Sequence, residues 1–218
     1  QKVGMVKDLY DSYASVRQLF EESDDALGFS LTKLCFEGPD EELMLTYNTQ
    51  PAILTASTAC NLVLKEEGFQ PDIVAGHSLG EYSALVAAGS LDFADAVRTV
   101  RLRGQFMQEA VPLGEGAMAA ILGLDEEKIK SICTQISTQG ATVEAVNFNC
   151  PGQIVIAGAT KAVEQAVESM KEAGAKRAVM LNVSAPFHST LMQPAAERLA
   201  EVLDTITIRD AVIPVVAN

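Results

Sequence analysis

Apolar side chains recur every three or four residues through the first half of the chain, which is the spacing of amphipathic helices. This spacing predicts helices over residues 3–22, 31–36, 50–67, 79–88 and 93–109, with a further acidic helix start at 40–43. A short apolar run over residues 72–76 interrupts the helical spacing and predicts a buried strand. Helices that alternate with a buried strand indicate an α/β layer, so the predicted fold class is α/β.

The pattern changes after the glycine- and proline-containing segment 112–116. The following residues predict, in order, a strand over 117–122, a helix over 125–138, strands over 142–147 and 153–157, a helix over 160–173 and a strand over 176–181. This βαββαβ order is that of the split-βαβ, or ferredoxin-like, arrangement. We therefore predict a small subdomain over residues 116–183, inserted into an α/β domain that comprises residues 1–115 and 184–218.

The end of the chain returns to that α/β domain. A helix is predicted over residues 190–203, and an apolar run over 211–217 predicts a last strand. Pro214 has no backbone N–H to donate, so this strand should lie at an edge or begin near the proline.

A Gly-His-Ser-Leu-Gly pentapeptide, residues 76–80, lies where the predicted strand meets the predicted helix. A serine on such a sharp turn is typical of a nucleophile elbow, whereas the same residues elsewhere form an ordinary Gly/Ser turn. Gly76 and Gly80 would remove side chains that crowd Ser78. Because a helix N-terminus offers free N–H groups, we expect the N–H of Leu79 to stabilise an oxyanion formed beside Ser78.

A serine hydroxyl needs a base, and the chain has only two histidines. His77 adjoins Ser78 and should point to the other side of the turn, which favours a structural role over proton transfer. His188 is distant in sequence, in a loop before a predicted helix, and is therefore the candidate base. Asp204 and Asp210 follow the histidine, which is the wrong order for a hydrolase triad. A dyad whose histidine is oriented by a backbone carbonyl or an amide fits better.

Three arginines fall on the helix that follows the elbow. Arg98 and Arg101 are interpreted as a solvated basic face. Arg103 precedes the small Gly104 near the end of that helix. Since an arginine holds a carboxylate through two parallel hydrogen bonds, Arg103 is the candidate partner of a substrate carboxylate.

Composition narrows the class of protein. The 218 residues are 48% hydrophobic and carry a net charge of −13, which indicates a globular chain and argues against nucleic-acid binding. No apolar run is long enough for a membrane span, and the N-terminus, which does not begin with methionine, lacks the pattern of a secretory signal. The four cysteines form no C-x-x-C pair, so buried free thiols in a reducing compartment are expected rather than metal ligands or disulfides.

Longer stretches of the chain match the motifs of a known family. They are GHSLGEYSALVAA at 76–88, FADAVRTVRLRGQFMQEAVP at 93–112, GAMA at 116–119, NFNCPGQIVIAG at 147–158 and VSAPFHSTLMQPAA at 183–196. With them the chain resembles, over essentially its whole length, the malonyl-CoA:acyl carrier protein transacylases and more broadly the acyltransferase domains of fatty-acid and polyketide synthases.

The resemblance implies a serine that carries the acyl group as an ester, Ser78, a general acid/base, His188, and an oxyanion donor, the N–H of Leu79. It implies that Arg103 pairs with the malonyl carboxylate. Phe187 resembles the residue of malonyl-selecting members, and His77 and Met107 complete the predicted substrate-binding set. The implied fold is an α/β-hydrolase-like core with a ferredoxin-like subdomain.

The same resemblance implies malonyl-CoA and acyl carrier protein as partners, no nucleic acid or membrane, no metal, a cytoplasmic location, and no cofactor beyond the coenzyme A thioester substrate. It also implies that the family's first central strand, a second oxyanion donor and several terminal helices lie outside residues 1–218. Two alternatives remain: a serine hydrolase or thioesterase that uses the same dyad, and a truncated domain that binds carrier protein without catalysis.

Overall fold

A computed structural model describes residues 1–112, 114–138, 141–183 and 185–218. The chain divides into two compact units. The first, which we call the serine unit, comprises Gln1–Gln105 and Leu199–Asn218. The second, the histidine unit, comprises Phe106–Arg198. Each is described separately below.

The serine unit is mostly helical. Its helices are α1 (Lys7–Ser12), α2 (Ala14–Leu27), α3 (Leu31–Glu37), α4 (Asp40–Met44), α5 (Thr46–Glu66), α6 (Gly80–Ala87) and α7 (Phe93–Ala110), the last of which continues into the histidine unit. A buried cluster that includes Val16, Phe20, Leu54 and Val97 forms its core. The short helix at 31–36 and the acidic helix start at residue 40 are confirmed.

The single helix predicted over residues 3–22 is wrong, because the structure divides this segment into α1 and α2. Tyr13 between them is extended, with φ −115° and ψ 128°. Arg17 Nη1 donates hydrogen bonds to the carbonyl oxygens of Tyr10 (2.9 Å) and Asp11 (3.1 Å) at the end of α1. The side chain of Arg17 thus satisfies carbonyls that a continuous helix would have used, and apolar spacing alone does not reveal such a break.

Two short parallel strands complete the serine unit. Strand β1 (Val74–Ala75) pairs with the chain's last strand, Val215–Val216, in the register Val74↔Val215. The carbonyl of Pro214 accepts a hydrogen bond from the N–H of Val74 (3.0 Å), so the proline stands directly before the last strand, as predicted. The strand predicted over 72–76 is therefore present but shorter, and the expectation that it is buried is wrong, because Val74 is half-buried and Ala75 is exposed.

The histidine unit contains the predicted βαββαβ order. Its elements are β2 (Gly116–Leu122), α8 (Glu126–Ser137), β3 (Val143–Cys150), β4 (Gln153–Ala159), α9 (Thr160–Glu172) and β5 (Arg177–Met180), followed by a 3₁₀ turn (Thr190–Met192) and by α10 (Gln193–Leu203), which ends in the serine unit. The last strand, Val215–Val216 of the serine unit, is β6. All sheet pairings are antiparallel, in the order β3-β4-β2-β5. This is the ferredoxin-like arrangement, and the α/β fold class with this subdomain is confirmed.

The two faces of this sheet are covered differently. Residues of α8 and α9, including Ile129 and Val163, form a buried cluster with Ile121 and Ile156. Another cluster contains Met118 and Val155 together with other sheet residues, and Phe187 packs against it. The sheet lies within the predicted subdomain 116–183, whereas the compact unit is wider, so the predicted domain boundaries stay a prediction.

Candidate active site

Ser78 occupies a strained turn between a strand and a helix. Strand β1 ends at Ala75 and α6 begins at Gly80. Ser78 has φ 53°, in the left-handed region that non-glycine residues rarely adopt. A non-glycine residue in this region is held there by its surroundings and is often functional. The predicted nucleophile elbow is therefore present in the geometry of the backbone.

The two glycines of the pentapeptide differ in importance. A Cβ on Gly76 would lie 1.9 Å from the carbonyl carbon and oxygen of Gly80 and 2.4 Å from the nitrogen of Glu81, which no side chain tolerates. A Cβ on Gly80 would meet nothing within 4 Å. The expectation that both glycines relieve crowding is thus wrong for Gly80. Gly76 alone permits the close approach of strand end and helix start.

The elbow is braced by the end of the chain. The N–H of Ser78 donates to Oδ1 of Asn218, and the N–H of Asn218 donates to Oε2 of Glu81 (3.0 Å). Because Asn218 follows β6, which pairs with β1, the same strand pair aligns the elbow and supplies its acceptor. Neither Asn218 nor Glu81 was among the site residues predicted from the sequence.

Leu79 lies directly after Ser78, and its side chain is buried. The N–H groups of Gly80, Glu81 and Tyr82 donate to the carbonyls of residues 77, 78 and 79. Among the described residues, no carbonyl accepts a hydrogen bond from the N–H of Leu79. This donor has the position that an oxyanion contact needs, and its role stays a prediction.

Arg103 contacts the serine directly. Its Nη2 donates to Oγ of Ser78 (3.0 Å), its Nη1 donates to Oε1 of Gln50 (2.6 Å), and its guanidinium carbon lies 5.8 Å from the ring centre of Tyr82. Burial lowers the pKa of the Arg103 guanidinium, because desolvation disfavours its charge. A partly desolvated cation beside a strained serine is suited to an anionic group on a substrate.

Gln50 was not found from the sequence. It lies in α5, is 4% exposed, and its Nε2 donates to Oγ1 of Thr46 (3.1 Å). The nitrogen and the oxygen of the Gln50 amide are therefore both hydrogen-bonded, which fixes the position of the oxygen that accepts from Arg103. A polar residue at a core position of an apolar helix was the available signal, because a buried amide needs hydrogen-bond partners.

Arg101 corrects another expectation, since it does not belong to a solvated face. Its guanidinium carbon lies 4.9 Å from the ring centre of Phe29 and 4.6 Å from that of Tyr47. Its Nη1 donates to the carbonyl of Tyr47 (2.9 Å) and to Oδ1 of Asn48. Arg101 thus links α7 to the start of α5. Arg98 forms an exposed ion pair with Asp95 (2.7 Å), which agrees with its interpretation as a surface residue.

Gly104 explains how closely these helices approach. A Cβ on Gly104 would lie 2.4 Å from Cα of Tyr47. The absence of a side chain lets α7 rest on the backbone of α5 one residue after Arg103. This contact and the hydrogen bonds of Arg101 bring Gln50 to Arg103.

His188 lies in the histidine unit and has φ 64°, so the second candidate catalytic residue also adopts left-handed backbone. The turn around it is closed by hydrogen bonds from the N–H of Phe187 to the carbonyl of Ala185 (3.0 Å) and from Ser189 Oγ to the carbonyl of Pro186 (2.7 Å). Residue 188 is exposed while Ser189 is buried. The residues on both sides of His188 are therefore fixed by hydrogen bonds, while His188 itself is exposed to solvent.

Phe187 and Met107 come together in the histidine unit. Met107 is buried in an apolar cluster with Val111 and Met192, and Phe187 packs against that cluster as well as against Met118 of the sheet. His77 is exposed, and its carbonyl accepts the N–H of Gly80 (2.9 Å). The substrate contacts predicted for these residues stay predictions.

The expectation of buried free thiols is confirmed for two of the four cysteines. All four are free, and Cys35 and Cys133 are buried, but Cys60 and Cys150 are exposed. Within the described part of the chain, no three His, Cys, Asp or Glu side chains are grouped as a metal site. No helix among the described residues is long and apolar enough to cross a membrane.

Comparison with known proteins decides the family. The acyl transferase domain model matches residues 1–217. The chain belongs to the acyl transferase domain family. Over 218 residues it is 58% identical to the malonyl CoA-acyl carrier protein transacylase of Bacillus subtilis, covering 100% of this chain and 69% of that protein. It is 54% identical to the protein of the same name from Escherichia coli, covering 71% of it.

Solved structures of acyl transferases share the fold. One is a malonyl-transacylase in complex with the acyl-carrier protein of a type II polyketide synthase. It matches with a TM-score of 0.96 at 52% identity, over 99% of this chain and 70% of that one. The resemblance inferred from the sequence motifs is confirmed.

Proposed function

We propose that the protein transfers a malonyl group from malonyl-CoA to the phosphopantetheine thiol of acyl carrier protein, in fatty-acid or polyketide biosynthesis. High identity to malonyl CoA-acyl carrier protein transacylases supports the assignment, as does the likeness to a transacylase bound to its carrier protein. One observation carries it: Arg103, partly desolvated, donates to Oγ of Ser78. A cation at this position recognises an acyl group that ends in a carboxylate.

In the first half-reaction Ser78 Oγ attacks the thioester carbon of malonyl-CoA. The new C–O bond replaces the C–S bond, and the serine proton passes through His188 to the departing coenzyme A thiolate. The N–H of Leu79 donates a hydrogen bond to the carbonyl oxygen, on which negative charge develops. The malonyl carboxylate takes Arg103 as its partner, and Gln50 keeps the guanidinium in place.

In the second half-reaction the phosphopantetheine thiol of acyl carrier protein attacks the Ser78 ester. His188 accepts the thiol proton and returns it to Ser78 Oγ as the C–O bond breaks. A C–S bond forms and free serine is restored, so the cycle needs no oxidant, metal or further cofactor. Phe187, His77 and Met107 are proposed to contact the substrate, and the proposed location is the cytoplasm.

A neutral-acyl hydrolase or thioesterase would gain nothing from the half-buried guanidinium of Arg103. The proposal predicts that an Arg103→Ala variant loses malonyl loading while it keeps loading from acetyl-CoA, which carries no terminal carboxylate. A neutral-acyl enzyme would show no such selectivity. Comparing a substrate that has a terminal carboxylate with one that lacks it therefore distinguishes the transacylase from a neutral-acyl enzyme.

The test is acid-quenched incubation with malonyl-CoA, followed by intact and peptide mass measurement. The expected result is one malonyl ester on the peptide that contains Ser78, absent in Ser78→Ala, strongly reduced in Arg103→Ala and unchanged in the matched control Arg98→Ala. A folded protein that forms no ester with malonyl-CoA would overturn the proposal. If that protein still bound acyl carrier protein, the non-catalytic alternative would be correct.

A further inference from the structure

A glutamate of the sheet holds the segment that follows His188. Glu144 lies in β3. Its Oε2 accepts the backbone N–H of Thr190 (2.7 Å), and its Oε1 accepts the Thr190 hydroxyl (3.0 Å). The two residues are 46 positions apart in sequence. A carboxylate that receives two short hydrogen bonds from one residue fixes both the position and the rotation of that residue.

Thr190 begins the 3₁₀ turn that leads into α10. Ser189 stands at the N-cap of this turn, but it makes no side-chain cap, because its hydroxyl donates to the carbonyl of Pro186. The free N–H groups of a helix start need an acceptor, and a negative charge is favoured there. Glu144 supplies both from another element.

Glu144 is not neutralised elsewhere. Among the described residues, no lysine or arginine forms an ion pair with it. Its carboxylate therefore accepts the two hydrogen bonds from Thr190 without a competing ion pair among these residues. The contact is local to the histidine unit, since both residues belong to it.

His188 lies two residues before Thr190 in a left-handed conformation that relaxes unless both flanks are fixed. On the upstream flank, Pro186 rests on Gly116 of β2, where a Cβ would lie 2.2 Å from Cδ of the proline. On the downstream flank, Glu144 fixes Thr190. Two strands of the ferredoxin-like sheet, β2 and β3, which lie on either side of β4, thus determine the path of the histidine turn.

We propose that Glu144 is a positioning residue for the reaction, which acts through Thr190 to keep His188 oriented for proton transfer. The inference rests on the proposed function, in which His188 is the general acid/base. It gives the ferredoxin-like sheet a role in catalysis, as the support on which the histidine turn is built.

The variants Glu144→Gln, Thr190→Val and Thr190→Ser test this. The amide of Glu144→Gln keeps the shape but loses the charge and one acceptor. Thr190→Val removes the hydroxyl donor, and Thr190→Ser restores it. The matched control is Glu168→Gln, an exposed carboxylate of the same unit that pairs with Lys171. Single-turnover loading of Ser78 from malonyl-CoA would be measured for each variant across pH, together with thermal unfolding and the fraction of sites that can be acylated.

We expect Glu144→Gln to lower the maximal loading rate about 10-fold or more, since small displacements of a catalytic group reduce rates up to about 10²-fold. The malonyl-CoA concentration at half-maximal rate should stay within about 2-fold, because Arg103 is untouched. Thr190→Val should be slow, and Thr190→Ser and Glu168→Gln should match the wild type. The fraction of acylatable sites should stay constant.

Two results would overturn the inference. One is a Glu144→Gln protein that loads at the wild-type rate. The other is a loss of activity that follows the loss of acylatable sites while the remaining sites react at the normal rate, which would make the contact purely structural. Failure of the proposed function looks different, because wild-type protein would then form no ester, or His188→Ala would load as fast as wild type.

Discussion

The serine unit and the histidine unit each present one residue in left-handed backbone, but they hold it by different means. Ser78 (φ 53°) lies between a strand and a helix, where Gly76 permits the close approach of strand end and helix start. His188 (φ 64°) lies in a turn that is supported by Gly116 and Glu144 of the sheet. Strain at one residue can therefore be opposed mainly within its own strand-turn-helix segment, with the Asn218 side chain as an added brace, or by contacts from a separate sheet.

The largest effect is expected for Gly76→Ala, which tests the backbone contact at the elbow. Because the new Cβ would lie 1.9 Å from backbone atoms of Gly80, the elbow has to move. We expect the free energy of unfolding to fall by more than about 4 kcal/mol and malonyl loading to be lost. Urea denaturation and ester mass measurement check both.

Gly80→Ala is the matched control. Its Cβ would meet nothing within 4 Å, and alanine loses less conformational entropy than glycine when the chain folds. This variant should be at least as stable as the wild type. A Gly76→Ala protein as stable as Gly80→Ala would refute the steric account of the elbow.

The second test uses three arginines within one helix. Arg103→Lys should lower kcat/KM for malonyl-CoA about 10²-fold, because lysine offers no planar fork for a carboxylate and for Gln50. Arg101→Lys should lose about 1–2 kcal/mol of stability, since the stacking on Phe29 and Tyr47 is weakened, with little effect on loading. Arg98→Lys should change neither property, as expected for an exposed ion pair.

Loading rates and thermal melts of the three variants separate these roles. Equal effects of Arg103→Lys and Arg98→Lys on malonyl loading would contradict the assignment of Arg103. A stability loss in Arg98→Lys equal to that in Arg101→Lys would contradict the bracing role of Arg101.

In the histidine unit the corresponding change is Gly116→Ala. The new Cβ would lie 2.2 Å from Cδ of Pro186 and 3.1 Å from the proline nitrogen to which Cδ is bonded, so the proline and its main chain have to shift together. We expect about 1–3 kcal/mol of destabilisation, less than for Gly76→Ala, as is usual for overpacking. Loading should slow about 10-fold, because the histidine turn moves with the proline. A variant that is destabilised but loads normally would show that Pro186 does not position His188.

The same contrast explains what the sequence could predict. The residues that define the elbow are contiguous, so strand, turn and helix were predictable from local pattern. The ferredoxin-like order followed from the alternation of apolar runs. The bracing and positioning roles of Arg101, Gln50 and Glu144 were not predictable, because their hydrogen-bond partners lie tens of residues away in sequence. Side-chain contacts between separate elements leave no periodic signal in the sequence.

The smallest expected effect comes from the buried thiols, one in each unit. Burial raises the pKa of Cys35 and of Cys133 to about 12, so both thiols stay protonated at pH 8 and react only when their unit opens. Cys150 is exposed and should react fastest. Cys60 is also exposed and should react more slowly, because burial of its thiol raises the pKa.

Labelling at pH 8 with a thiol reagent, resolved by peptide mass, gives the opening rate of each unit. In Gly76→Ala, labelling of Cys35 should accelerate, while that of Cys133 should remain near the wild-type rate, with Cys150 as the internal reference. Acceleration of both buried thiols by the same factor would mean that the two units open in one cooperative step. The elbow and the histidine turn would then share a single stability, and their different supports would matter for catalysis alone.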